Sequence, residues 1–92
     1  MATVYRSPEG ILSSAEMMSE YDEQIEAFWK RTAALETIAD VGEAWLADVG
    51  ISDPDSKEGY GEIRTLAAKQ RNQIEAMRAI RRSYVPEQVT LL

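Results

Sequence analysis

"ADVGEAWLADVGIS", residues 39–52, decides how this chain is read. The tetrapeptide ADVG occurs in it twice, at 39–42 and 47–50, on either side of EAWL. Asp40 is a residue type that caps a helix start, and Glu43 stands at the capping-box position. Gly50 suits the left-handed backbone that ends a helix. The stretch therefore predicts a short helix over 41–49, with Val41, Ala44, Trp45 and Val49 on one side. A short helix closed by Gly-Ile-Ser also has the form of the first half of a helix-turn-helix. The second half argues against that form. A recognition helix starting near Asp53 would carry Asp53, Asp55, Glu58 and Glu62 against a lone Lys57. It would offer Ser56, Gly59 and Gly61 where apolar anchors belong. Duplex binding rests on phosphate neutralisation by Lys and Arg, so no direct DNA binding is expected.

Outward from this stretch the periodicity is helical. Ser13 and Glu16 have capping-box spacing, and Leu12 and Met17 fit a hydrophobic staple. A helix is predicted over 14–38. Met18, Tyr21, Ile25, Phe28, Thr32, Leu35 and Ala39 follow at alternating steps of three and four, a heptad seam that Met17 and Ile38 widen. Downstream, "ISDPDSKEGYGE" reads as a loop with at most one helical turn at Asp53-Pro54, since Gly59 and Gly61 oppose regular helix. The last helix is predicted over 62–84, with Ile63, Leu66, Ala67, Ile74, Met77, Ile80 and Tyr84 as its stripe and Gln70 and Gln73 interrupting it. Pro86 stops it, because the residue before a proline is pushed out of the helical region. Residues 2–6, "ATVYR", suit a short strand or extended arm, and "QVTLL" at 88–92 suits a strand or a docking tail. The expected fold is all-α: a long antiparallel helical hairpin with a short connecting helix and extended termini. It forms one small domain over 1–92, with an arm at 1–12, helices at 14–38, 41–49 and 62–84, and a tail at 85–92.

Bulk properties narrow the role. Ninety-two residues, 45% apolar and 28% charged, make one domain with a modest core. The net charge of −6 is unevenly spread. Residues 1–55 hold twelve acids and three bases, and residues 56–92 hold seven bases and four acids. An antiparallel hairpin sets Glu16, Glu20 and Glu23 near Arg78, Arg81 and Arg82, and the same charges suit each helix's dipole. No apolar run spans a membrane, no secretory signal opens the chain and no cysteine is present, so a cytoplasmic protein without membrane contact is expected.

Catalytic chemistry finds few groups here. There is no histidine and no cysteine, the commonest general base and the strongest nucleophile. Gly59-Tyr60-Gly61 lacks the lysine and hydroxyl of a phosphate loop. The acids from Asp53 to Glu62 depart from the calcium-loop pattern, with Arg64 where an EF-hand needs glutamate. Neither an enzyme nor a cofactor or metal site is expected. Arg64, Arg71 and Arg78 recur every seven residues, a phosphate-contacting stripe or, as favoured here, a face opposite the acids of the first helix.

Two kinds of interaction residue remain. Trp29 and Trp45 are candidate anchors of the type enriched in binding hot spots, or they pack on each other. Glu16, Glu20, Asp22, Glu23 and Glu26 form an acidic face able to imitate a phosphate backbone. Met17, Trp29, Ile38, Val85, Val89, Leu91 and Leu92 exceed what one seam can cover. The expected function is a non-enzymatic protein–protein interaction module: an assembly subunit, an adaptor or a self-associating helical protein whose partner is another protein or its own copy. The alternative is a small acidic inhibitor that mimics nucleic acid or fills a basic groove. In size and charge the chain resembles phage-encoded, anti-CRISPR-like inhibitors as a class.

Overall fold

In a computed structural model, which describes residues 2–50 and 52–89, two long helices pack antiparallel and a three-stranded sheet joins their open end. Helix α1 is Ala15–Asp48 and helix α2 is Pro54–Ser83. Strands β1 (Ala2–Arg6), β2 (Leu12–Ser14) and β3 (Val85–Val89) make the sheet. The chain is mostly helical and shaped as a hairpin, as its periodicity predicts. It is not all-α, and the predicted short helix at 41–49 is the last quarter of α1.

The reason α1 does not break lies in its seam. Met18, Ile25, Thr32, Ala39 and Leu46 are buried, each seven residues from the next, and Tyr21, Phe28, Leu35 and Gly42 lie half-buried between them. This phase passes through 39–42 unchanged, so a continuous helix keeps every seam position facing α2. Asp40 does not cap. Its carboxylate accepts a hydrogen bond from Arg64 at 2.6 Å. Gly42 has a packing role. A Cβ at position 42 would fall inside the Tyr60 ring, so the glycine is the socket into which that ring packs. The second ADVG does end the helix. Gly50 takes φ +70°, and its N–H and that of Val49 close on the carbonyls of Ala47 and Trp45.

Helix α2 begins eight residues before its predicted start. Asp53 caps it through the Asp55 N–H, Pro54 takes the first turn, and the helix runs through Gly59 and Gly61. The earlier start brings Tyr60 into the seam. From there Tyr60, Ala67, Ile74 and Arg81 alternate with Ile63, Gln70, Met77 and Tyr84, all buried or half-buried. Gln70 therefore belongs to the seam instead of interrupting it, and Leu66 and Ile80, predicted to be core, are exposed. The centre of the seam is polar. Thr32 is fully buried, and its hydroxyl shares its proton between the Phe28 carbonyl (3.0 Å) and the Gln70 side-chain oxygen (2.8 Å).

At the open end β1 lies between β2 and β3, antiparallel to both, with Val4 opposite Ser14 and Arg6 opposite Val85. The predicted arm is thus a hairpin. Its turn is held by buried Ser7, whose hydroxyl accepts the Ile11 N–H, and by Gly10 at φ +86°. Ser13 and Ser14 both pair in β2, and because α1 starts at Ala15 it is Ser14 that caps it, accepting the Met17 N–H at 3.1 Å. Ser13 and Glu16 therefore form no capping box. Pro86 is tolerated because β3 is an edge strand. Arg6 of β1 pairs with Glu87 of β3 at 2.7 Å within the sheet, and the Arg81 guanidinium stacks 5.1 Å above the Tyr5 ring, fixing sheet to helices. The end of the predicted tail, with Leu91 and Leu92, lies outside the described residues. The whole measures 71 × 19 × 12 Å, one layer of two helices with two broad faces.

Candidate interaction surface

The heptad phase sorts the side chains beside the seam onto those two faces. On one face α1 presents Asp22, Trp29, Glu36 and Glu43, and α2 presents Arg64, Arg71 and Arg78, each set at seven-residue spacing. Arg64 donates to both Glu43 oxygens at 2.9 Å and to Asp40 at 2.6 Å. This grip holds the Glu43 carboxyl below its ordinary pKa, and the two acids push the Arg64 guanidinium further up. Arg71 pairs with Glu36, which raises its pKa, and stacks 5.4 Å above the Trp29 ring. Arg81 donates to Asp22 at 2.8 Å, and Arg78 turns back to Glu75 of its own helix at 3.1 Å. Exposed pairs of this kind contribute little each to stability. What they fix is the register of one helix on the other, and they engage the arginines that a phosphate-binding stripe would need.

The other face is built differently. Here α1 presents Met17, Gln24, Arg31, Ile38 and Trp45, again every seven residues, and α2 presents Leu66, Gln73 and Ile80. Met17 is 59% exposed, Ile38 52%, Trp45 55%, Leu66 47% and Ile80 54%. Between the helices on this side runs a groove lined by Gln24, Ala27, Phe28, Arg31, Gln73 and Met77. The Arg31 guanidinium lies 5.8 Å above the Phe28 ring at its edge. Large exposed apolar side chains gathered on one face mark an interaction site, where the same residues scattered singly would mean nothing.

The sequence candidates fall in three places. Trp45 is on the apolar face and Trp29 on the charged one. They sit on one unbroken helix about 24 Å apart, so the alternative in which the two indoles pack on each other does not occur. Glu16, Glu20 and Glu23 point outward from the back of α1, and among the described residues they make no ion pair. The predicted approach of these three to Arg78, Arg81 and Arg82 is therefore replaced by the single Asp22–Arg81 contact. Glu26 pairs with Lys30 at 3.8 Å. Leu66 and Ile80 are residues of the apolar face that sequence reasoning placed in the core. Their signal was present, since they share a seven-residue spacing with Gln73 and not with Ala67 and Ile74.

Among the described residues no three acidic side chains converge as metal ligands, and no helix is long and apolar enough to cross a membrane. No known protein family, curated protein or solved structure matches the chain.

Proposed function

We propose that this protein is a non-enzymatic interaction module whose working surface is the apolar broad face. The observation that carries the reading is the segregation of Met17, Ile38, Trp45, Leu66 and Ile80 on one face while the ion pairs between the helices occupy the other. A hairpin stabilised only by its own seam has no use for five large apolar groups on one side. Burying each against a partner is worth about 1.5–3 kcal/mol. Trp45 is the anchor in this reading, because its indole is free, whereas the Trp29 indole is covered by Arg71. The module then serves as an assembly subunit, an adaptor or a self-associating protein of the cytoplasm.

A second reading is favoured by one feature. Among the described residues Glu16, Glu20 and Glu23 stand unpaired in a row on the back of α1. Such a row suits an inhibitor that occupies a basic groove on a nucleic-acid-handling protein.

Partner capture from the native cell separates the two. Trp45→Glu should abolish capture with the melting temperature unchanged. Reversal of Glu20, Glu23 and Glu26 to Lys should leave capture intact apart from a slower association rate. Trp29→Ala should lower the melting temperature and spare binding. Capture lost on charge reversal and kept in Trp45→Glu would contradict the module and establish the inhibitor.

A further inference from the structure

Granted that the apolar face docks protein, we propose that its occupant is a second copy of this chain, related by a two-fold axis that crosses the hairpin at Leu66. Thr32 lies against Gln70 and Gly42 against Tyr60, which sets the level of each residue of α2 along α1. By that scale Leu66 is level with Glu36. On α1 the groove is centred near Ala27 and Phe28, and Trp45 projects from the same face further along. Their midpoint is also residue 36. Turning one copy about an axis at that level, lying in the face and across the helices, brings Trp45 of each copy over the groove of the other.

Helix α2 gives the same axis independently. Glu62 and Lys69 lie toward this face, seven residues apart and centred on Leu66. Both are exposed, and neither makes an ion pair within the chain among the described residues. The same rotation sets Glu62 of one copy against Lys69 of the other, twice by symmetry. Leu66 meets its own copy on the axis, and Ile38 meets Ala34. A self-complementary patch is what a closed two-fold interface requires. The product is a four-helix bundle in which every helix is antiparallel to its neighbours. Its size is adequate. With the axis at residue 36, α1 of the two copies overlaps from residue 24 to residue 48, about 36 Å of helix, and Met17 lies beyond the edge. Across the 19 Å breadth of the molecule this is a footprint of about 700 Å², within the range per partner of a standard stable interface.

The test uses the full chain and its lack of cysteine. In sedimentation equilibrium the protein should have about twice its 10.3 kDa mass. Glu62→Lys should weaken the dimer about tenfold or more, and adding Lys69→Glu should restore it. Under mild oxidation Leu66→Cys should form a disulfide-linked dimer, and Ala68→Cys, at the same level on the charged face, should not. A dimer in which Ala68→Cys links as readily, or in which the charge swap fails to restore affinity, overturns this geometry. A monomer at about 1 mM overturns the second copy as occupant. If Trp45→Glu still abolishes capture in cells, the docking surface survives that result. If capture is unaffected, both fall.

Discussion

Gly42 and Tyr60 show how one residue without a side chain sets the length of an element. Glycine in a helix interior costs about 1 kcal/mol relative to alanine, so its presence there needs a return. The return is the ring of Tyr60, which occupies the space a Cβ would take. Gly61 gives a control, because a Cβ there meets nothing. Gly61→Ala should therefore raise stability by about 0.5–1 kcal/mol. Gly42→Ala should lower it by about 1–3 kcal/mol, because the ring must leave its socket. In a Tyr60→Ala background the same Gly42→Ala change should become stabilising. Denaturant unfolding of the four proteins in that cycle measures the coupling, and an additive result would mean that ring and socket do not pack. Asp40 belongs at this scale too. Its side chain is as good a cap as sequence offers, yet it holds Arg64 across the hairpin. Cap propensity is a local preference of about 1 kcal/mol, and a seam that keeps its phase outweighs it.

At the scale of elements, the two helices are legible in the sequence where the seven-residue phase runs without helix-breaking residue types and illegible where Asp40, Gly59 and Gly61 punctuate it. Met18 to Ala39 read correctly as a seam. Gly42, Leu46 and Val49 continue the same steps of three and four, but Asp40 has the form of a helix cap and reads as a boundary. In α2 the glycines at 59 and 61 hid the true start at Pro54. Without Tyr60 as first seam residue, the sequence pattern puts Leu66 and Ile80 in the core and Gln70 outside it. Strand pairing was the least legible feature, because the partner of residues 2–6 lies at 85–89, at the far end of the chain. The Thr32–Gln70 pair is the polar centre of the seam. Buried polar groups in helical seams specify register at a cost in stability. Thr32→Val with Gln70→Leu should raise the unfolding free energy by about 1 kcal/mol or more. It should also loosen alignment, seen as a wider spread of distances between spin labels placed at residues 26 and 76. A double variant less stable than wild type would show that the hydrogen bond contributes more than apolar packing at that level.

On the scale of the whole molecule, the two broad faces divide the labour. The charged one holds the helices in register, and on the proposed reading the apolar one takes a partner. This division was only partly legible beforehand. The sequence shows the surplus of apolar residues, but the face they share depends on the phase of α2, and a helix break at 39–40 leaves Trp29 and Trp45 on separate elements with no way to rank them. The direct measurement is photo-crosslinking in the native cell, with a photoreactive amino acid at position 45 on the apolar face and, in a separate protein, at position 23 on the acidic back of α1. The account predicts protein adducts from position 45 and almost none from position 23. Adducts from position 23 with none from position 45 would contradict it.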